Sequence, residues 1–488
     1  MAYEMNYSRK IYGPISKLSP SSFVPFTTYK VKGAKIIWRN DNLIKEYGLG
    51  SECDIDSWLL EEFAFSSLEH FSSNLASDKS TFFAERYGGQ LIAGNGGGGR
   101  AGLKGLFQCK GIGPTPLVNQ GGAPQYTIGI ASLEEMINEA LWGEVCNILL
   151  PFGAVRCLAV IDLDYLSDNM EKCAIAVREN EFRLAHFELS PYFLLNNTSE
   201  LVSETTRVRA SIESFPMCFQ SVFGYYTDFE SSMKIILERY AKQLSYAKFF
   251  RICHGSLTSS NIGMSGKYLD FGTISSLGAY ENIVTSRGNI GFLNEQDNIL
   301  ESIVNFIDNH NWYSSDIDVS SDHFCSFFSE SLNIHLRNNF LIALGLIKED
   351  SDFDEEKANE IFKIIYRYLT IGGNKELKGV PYHNMGNCFF NLESLAKCMR
   401  NDPKKNGIES QLFHLVCDFI DTNSDFDMNN FHRKCDLISS NVFNLDFLHY
   451  DVVREKINSK LSHIDSHLHI TNYINDVLSD TRKLRDIL

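Results

Sequence analysis

The amino-acid sequence predicts an α+β protein of two lobes, with a strand-rich first lobe, a helical second lobe and a helical C-terminal extension. Three observations carry this expectation. Short apolar runs at Ala34–Trp38, Leu106–Lys110, Cys157–Leu163 and Ala174–Arg178 read as strands between glycine, proline and polar residues. A capped segment starting at Ser132 and a longer one at Glu230–Phe250 keep helical spacing, and the pattern after about Asn282 is mostly helical. At 488 residues, 44% hydrophobic and 12% aromatic, the chain can bury a core sufficient for two or three domains.

Residues 1–80 combine Pro14, Pro20 and Pro25 with the strand at Ala34–Trp38 and a polar helix-like stretch at Asp41–Tyr47, and are expected to form an N-terminal elaboration. Residues 81–190 form the strand-rich lobe. From Glu85 the pattern there is loop, glycine run and strand, and Gly111–Ile130, rich in Gly and Pro, is a further loop. Ser132-Leu133-Glu134-Glu135 is a capping box, followed at helical spacing by Met136, Ile137, Ala140, Leu141 and Val145, so a helix of roughly four turns is expected before Pro151. Residues 191–330 form the helical lobe, in which Arg251–Gly272 reads as two short strands around a polar turn, and residues 331–488 form the helical C-terminal region.

Charge and composition exclude several classes. A formal net charge of −16 lacks the basic face that a nonspecific grip on nucleic acid or an anionic membrane requires. Met1–Lys10 holds no apolar signal segment, and the longest apolar stretches, Val145–Val155 and Phe340–Ile347, are too short to span a bilayer. A soluble cytoplasmic protein, with neither nucleic acid nor membrane insertion among its partners, is expected. The 12 cysteines contain no CxxC pair, which favours buried free thiols over disulfides or zinc.

Two constellations carry the chemistry. Gly94 and Gly96–Gly99 run into Arg100, and Lys110 closes the next strand; glycines let backbone amides approach phosphate oxygens, and a fixed lysine adds charge to the same polyanion. About 150 residues later, His254-Gly255-Ser256-Leu257-Thr258-Ser259-Ser260-Asn261 precedes Asp270-Phe271-Gly272. The Asn261 amide oxygen and the Asp270 carboxylate make a hard-oxygen pair suited to Mg²⁺, which completes its shell with water and substrate phosphates. Downstream of a strand lysine and a capped helix, these offsets predict a protein-kinase-like two-lobed fold with a nucleotide site.

Over roughly Trp38–Gly272 the motifs resemble the selenoprotein O family, kinase-fold proteins that act as protein adenylyltransferases. The resemblance rests on Trp38-Arg39-Asn40-Asp41-Asn42-Leu43 with Gly48-Leu49-Gly50, Tyr87-Gly88-Gly89-Gln90 leading to Gly97-Gly98-Gly99-Arg100-Ala101, and Lys110-Gly111-Ile112-Gly113-Pro114-Thr115-Pro116. Arg178 and Arg183 ahead of His186-Phe187-Glu188, and then the His254 and Asp270 segments, complete it. It implies ATP bound in an orientation flipped relative to ordinary kinases, so that AMP is transferred to a protein or peptide acceptor. It assigns Gly97, Gly99, Arg100, Lys110, Arg178 and Arg183 to the nucleotide phosphates, and Asn261 and Asp270 to Mg²⁺, with Mn²⁺ as an alternative. A helix glutamate should pair with Lys110; Glu135 is the choice, with Glu134 and Glu139 open, so that Lys110, Glu135 and Asp270 form the catalytic set. Without the resemblance, Arg178 and Arg183 could be ordinary surface arginines, and Glu135 is explained by the capping box alone.

The chain departs from the family where a base is needed. The family carries Asp immediately before the metal-binding Asn; here Ser260 stands there, and Ser256 occupies the base position of ordinary kinases. A second acid is replaced within Asn119-Gln120-Gly121-Gly122-Ala123-Pro124 and a third at Gly98, and Thr481–Leu488 holds no counterpart of the family's terminal cysteine or selenocysteine. Because a positioned base contributes about 10²–10⁴ in rate, three expectations stand side by side. They are AMP transfer to a protein or peptide, acyl-adenylate formation on an acceptor that is already anionic, and a nucleotide-binding pseudoenzyme scaffold.

Overall fold

The computed structural model describes residues 11–49, 54–68, 75–89, 94–119, 128–167, 170–191, 193, 201–277, 280, 291–314, 318–349, 351–370, 392–400, 407–422 and 427–488. Part of the expected loop within Gly111–Ile130 and the N-terminal ten residues lie outside this set.

Eight strands form one sheet: β1 (Phe23–Val31), β2 (Lys35–Arg39), β3 (Phe65–Ser66), β4 (Leu75–Glu85), β5 (Ala101–Lys104), β6 (Phe107–Lys110), β7 (Cys157–Leu166) and β8 (Lys172–Glu179). Their order is β2-β7-β8-β6-β5-β4-β1-β3, antiparallel throughout. Residues 1–80, read from sequence as an elaboration, therefore supply strands to the same sheet as Lys110. The β5–β6 hairpin turns on Gly105-Leu106, where Gly105 takes φ +64°, the sign that a two-residue turn matching the strand twist needs. Side-chain alternation splits β8 between two cores. Cys173, Ile175 and Val177 join one hydrophobic cluster, and Ala174 and Ala176 the other.

Helices α1 (Asp41–Glu46) and α2 (Ile55–Phe63) lie with the first cluster, and α3 (Leu133–Leu149) covers the second face. Half of the expected capping box forms at the start of α3: the Ser132 hydroxyl accepts the Glu135 N–H at 3.1 Å, whereas the Glu135 carboxylate turns to Arg100 instead of the Ser132 amide. The helical part contains α4 (Glu204–Phe223), α5 (Phe229–Phe249), α6 (Gly291–Tyr313), α7 (Ser321–Ala343), α8 (Glu355–Thr370), α9 (Leu392–Arg400), α10 (Ile408–Thr422), α11 (Met428–Leu437), α12 (Tyr450–Leu461) and α13 (Ser466–Arg485). Phe187, Phe215, Phe229 and Phe306 meet in edge-on, tilted and stacked pairs where α4, α5 and α6 converge on residues 184–187. Helices α12 and α13 return to the first lobe and pack on α3.

One local expectation is corrected. Arg251–Gly272 does not fold as two strands around a turn; β9 (Ile252–Cys253) pairs instead with β10 (Ser275–Ser276). The segment between them is held by turn and side-chain to backbone bonds and by the isolated bridges Ile262↔Tyr268, Ala154↔Tyr268 and Arg183↔Gly263, and Asp270 at φ +69° interrupts any extended run.

Candidate functional site

Alternation along β6 sends Phe107 and Cys109 into one core and turns Gln108 and Lys110 toward the other face, where α3 lies. Lys110 is 2% exposed, and its Nζ lies 2.9 Å from Glu139 Oε2 and also bonds Asp270 Oδ1. Lys110 and Asp270, 160 residues apart in the chain, thus meet in space. Glu139 is 1% exposed and binds on three sides, taking Lys110 at one oxygen, Arg178 at the other, and the Phe271 N–H at 3.2 Å. Asn138 Nδ2 adds a bond to the Phe271 carbonyl at 3.0 Å, so the Asp270-Phe271-Gly272 turn is clipped to α3 twice.

The expectation that Glu135 pairs with Lys110 is corrected to Glu139. The two glutamates share a helix face at a spacing of four, and Lys110 reaches the deeper one. Glu135 instead takes Arg100, whose Nη2 lies 2.6 Å from Oε1. Glu134 faces α12, where Arg454 binds it.

A polar chain buttresses this centre. Arg178, directly opposite Gln108 in the β6–β8 register, donates to Gln108 Oε1 at 2.8 and 2.6 Å. Gln108 in turn binds Glu85, and Glu85 Oε1 lies 3.3 Å from His186 Nε2. Because His186 Nδ1 accepts the Arg183 N–H at 3.0 Å, the Nε2 proton points at Glu85. Arg183, 3% exposed, donates to the Ser260 carbonyl at 3.1 Å, lies 4.6 Å over the Tyr87 ring and keeps a buried Nε with no protein partner among the described residues. Both arginines are therefore buried rather than ordinary surface residues. Sequence assigned no role to Gln108 or Glu85, and His186 entered only as part of the resembled motif; the Gln108–Lys110 spacing of two was the available signal.

Within the glycine run, Gly97 is the position most tightly enclosed by backbone. Gly97 sits at φ +136°, and a Cβ there would lie 2.0 Å from the Glu85 carbonyl oxygen; one at Gly99 would lie 2.4 Å from Asn95 Nδ2. The Gly98 and Gly99 amides are used inside the loop, by the Glu85 and Gly97 carbonyls at 2.8 Å each.

In the second lobe, Asn261 Nδ2 donates to the Ser256 carbonyl at 2.7 Å, which fixes Oδ1 as the acceptor, with Ser260 Oγ 3.5 Å from it. Ser260 Oγ lies 2.9 Å from Thr258 Oγ1. His254 is buried against Tyr268 and Phe271 and bonds the Leu269 carbonyl through Nε2 at 2.9 Å, which makes it a packing residue. Glu295 on α6 accepts the Gly255 N–H at 2.9 Å and anchors the loop from below. Burial pushes the Glu295 carboxyl up to about 7.

Electrostatics hold the centre ionised. Burial opposes charge on Asp270, but Lys110, then Arg178 and Arg100, outweigh it and keep the carboxyl below the usual range. Burial likewise opposes charge on Glu139, and Lys110 and Arg178 lower it. For Lys110 the same burial is overcome by Asp270 and Glu139, which raise it. Three cations, Lys110, Arg100 and Arg178, are matched here by three acids, Glu139, Glu135 and Asp270, of which Asp270 is the most open at 38% side-chain exposure. Such a centre can neutralise a polyphosphate and hold a cation beside it.

No protein-family profile matches the chain. Curated relatives do. A protein nucleotidyltransferase YdiU from Shewanella frigidimarina is 27% identical over 231 residues, covering 44% of this chain and 44% of that protein. One from Clostridium beijerinckii is 21% identical over 362 residues, 69% of each chain, and one from Pseudomonas fluorescens is 25% identical over 178 residues, 36% of this chain and 34% of that protein. The similarity thus spans less than half the length of the first of these relatives.

Proposed function

We propose that this chain, a divergent relative of the YdiU (selenoprotein O) family of protein nucleotidyltransferases, binds ATP and Mg²⁺ between its two lobes and transfers AMP to a protein or peptide. The observation that carries this is the meeting of Lys110, Glu139 and Asp270, with Arg178 and Arg100 adding charge around them.

The donor set fits magnesium. Asn261 Oδ1 and the Asp270 carboxylate are hard oxygens, and Asp270 Oδ2 has no protein hydrogen-bond partner among the described residues. When bound, the ion would supply charge neutralisation across the phosphates. Lys110, pinned by Glu139, would leave Asp270 for a phosphate oxygen as nucleotide enters, and Arg100, Arg178 and Arg183 would share the triphosphate charge. The acceptor oxygen attacks the α-phosphorus, the bond to the bridging oxygen breaks, and pyrophosphate leaves with that electron pair. Positioning and electrostatics supply most of the acceleration.

A hydroxyl acceptor must also lose a proton, and Ser260 and Ser256 are poor bases. Ser260 Oγ is engaged with Thr258 and Ser256 lies beside Asn261 Nδ2. This favours a second reading, in which the acceptor is a carboxylate that attacks without deprotonation and forms an acyl-adenylate. A scaffold that binds nucleotide without turnover is the remaining alternative.

Incubation of the full chain with α-labelled ATP, Mg²⁺ and cell extract is expected to label a macromolecule and release pyrophosphate, both lost in Asp270→Ala. ATP binding without label transfer or pyrophosphate release would reject catalysis and leave the scaffold. Hydroxylamine cleaves an acyl-adenylate but not a phosphodiester on Ser, Thr or Tyr, so it separates the two enzymatic readings.

A further inference from the structure

The C-terminal extension reaches back to the elements that build the nucleotide centre. We infer that residues Phe443–Asn458 act as a strap that sets the geometry of this centre, with Arg454 as a positioning residue working through Glu134; its effect on nucleotide rests on the function proposed above.

Three attachments support it. At its far end, Arg454 binds both Glu134 carboxylate oxygens, with Nη2 3.1 Å from Oε2, and Asn458 Nδ2 lies 3.2 Å from the same oxygen. Glu134 stands in the first turn of α3, five residues before Glu139. In the middle, the Tyr450 N–H donates to Ser275 Oγ at 3.0 Å and Ser276 Oγ donates to the Leu445 carbonyl at 2.9 Å. Those serines are β10, which begins five residues after Asp270. At the near end, Arg251 Nη2 donates to the Phe443 carbonyl at 2.9 Å, with its guanidinium 5.1 Å from the Phe443 ring, three residues before His254.

One continuous segment therefore grips the helix carrying Glu139, the strand following Asp270 and the residues leading into the Asn261 loop. An α-helix moves as a rigid body over a turn or two, so displacement of α3 at Glu134 carries Glu139 with it and loosens its hold on Lys110 and the Phe271 amide. The strap has its own apolar anchor, since Val453 and Ile457 of α12 and Ile470, Ile474 and Leu484 of α13 are buried. Removing the Arg454 head group should therefore spare the fold. The Arg454–Glu134 contact lies at the rim, at 35% and 15% side-chain exposure, where a charge pair can be made and broken without opening the core.

The test uses the full chain as wild type, Arg454→Ala, Arg454→Lys and the swapped pair Glu134→Arg with Arg454→Glu. Hydrogen exchange of α3 and β10 is measured in each, together with affinity for ATP in excess MgCl₂ by calorimetry. Arg454→Ala is expected to speed exchange in both elements and to weaken ATP binding by about two- to fivefold. Arg454→Lys should lose less, and the swap should recover both readouts. Unchanged exchange in α3 for Arg454→Ala overturns the strap whatever happens to nucleotide. Faster exchange with unaltered ATP affinity overturns its role at the site. Wild type that binds no ATP defeats the nucleotide function instead, and the exchange result then decides the strap alone. Should Arg454→Ala fail to fold, Arg454→Lys and the swapped pair carry the same comparison.

Discussion

Exchanging Glu139 for glutamine, against the same change at Glu135, tests which helix acid holds the site lysine. Glu139 is 1% exposed and receives Lys110, Arg178 and the Phe271 amide. Removing one member of a buried ion pair costs about 3–5 kcal/mol because its partner stays buried and uncompensated. Here Lys110 keeps Asp270, Arg178 keeps Gln108, and the amide oxygen of glutamine still accepts, so the lower end applies, about 3 kcal/mol. Glu135 and Arg100 are 25% and 24% exposed at their side chains, where pairs contribute about 0.2–1 kcal/mol. Urea unfolding of the full chain should separate the two by about 2 kcal/mol or more. Calorimetric titration with ATP and Mg²⁺ should show at least roughly tenfold weaker binding for Glu139→Gln and little change for Glu135→Gln. Equal losses from both variants, or a larger loss from Glu135→Gln, would refute the assignment of Glu139.

Other perturbations follow from the same geometry. Gly97→Ala places a Cβ 2.0 Å from the Glu85 carbonyl at φ +136°, so a thermal melt should show a loss of about 2 kcal/mol or more. Burial pushes the Glu188 carboxyl, which holds the Ser259 hydroxyl at 2.8 Å, up to about 7 from 4.5. The folded state therefore keeps a proton that the unfolded chain has lost, and stability falls as pH rises from about 4.5 to about 7. Denaturation midpoints across that window should drop in wild type and drop less in Glu188→Gln, by about 3 kcal/mol, with Glu295 keeping its own share of the slope; identical slopes would contradict the buried acid. Ser260→Asp places a carboxylate where the resembled family has one and should speed label transfer from α-labelled ATP to hydroxyl acceptors by about 10²-fold or more. No gain would mean that proton removal is not limiting.

Local patterns made much of the centre legible. The period-two run ending at Lys110 and the Ser132 box gave the strand and the helix, and the Asn261 and Asp270 offsets gave the second-lobe partners. What sequence could not resolve was depth. Glu135 and Glu139 occupy one helix face, and only the height at which β6 crosses α3 chooses between them. Pairing was hidden for a similar reason: β2 bonds β7 across more than a hundred residues, and Ile252–Cys253 finds Ser275–Ser276 beyond a turn that looked complete by itself. Nothing local marks such partners, so the first 80 residues read as an appendage rather than as sheet. The Glu134–Arg454 contact spans 320 residues and has no sequence signature at all.

The path of the chain also dictates when the molecule can become complete during synthesis. β2 waits for β7, and α3, which lies on β7 and β8, is not fully covered until α12 and α13 have left the ribosome. With so many partners distant in the polymer, closure is slow and comes late, and until α12 and α13 dock, the part of α3 that they cover stays open even though β7 and β8 already hold its other side. The contacts of Lys110 with Glu139 would then settle only once α12 and α13 have docked on α3.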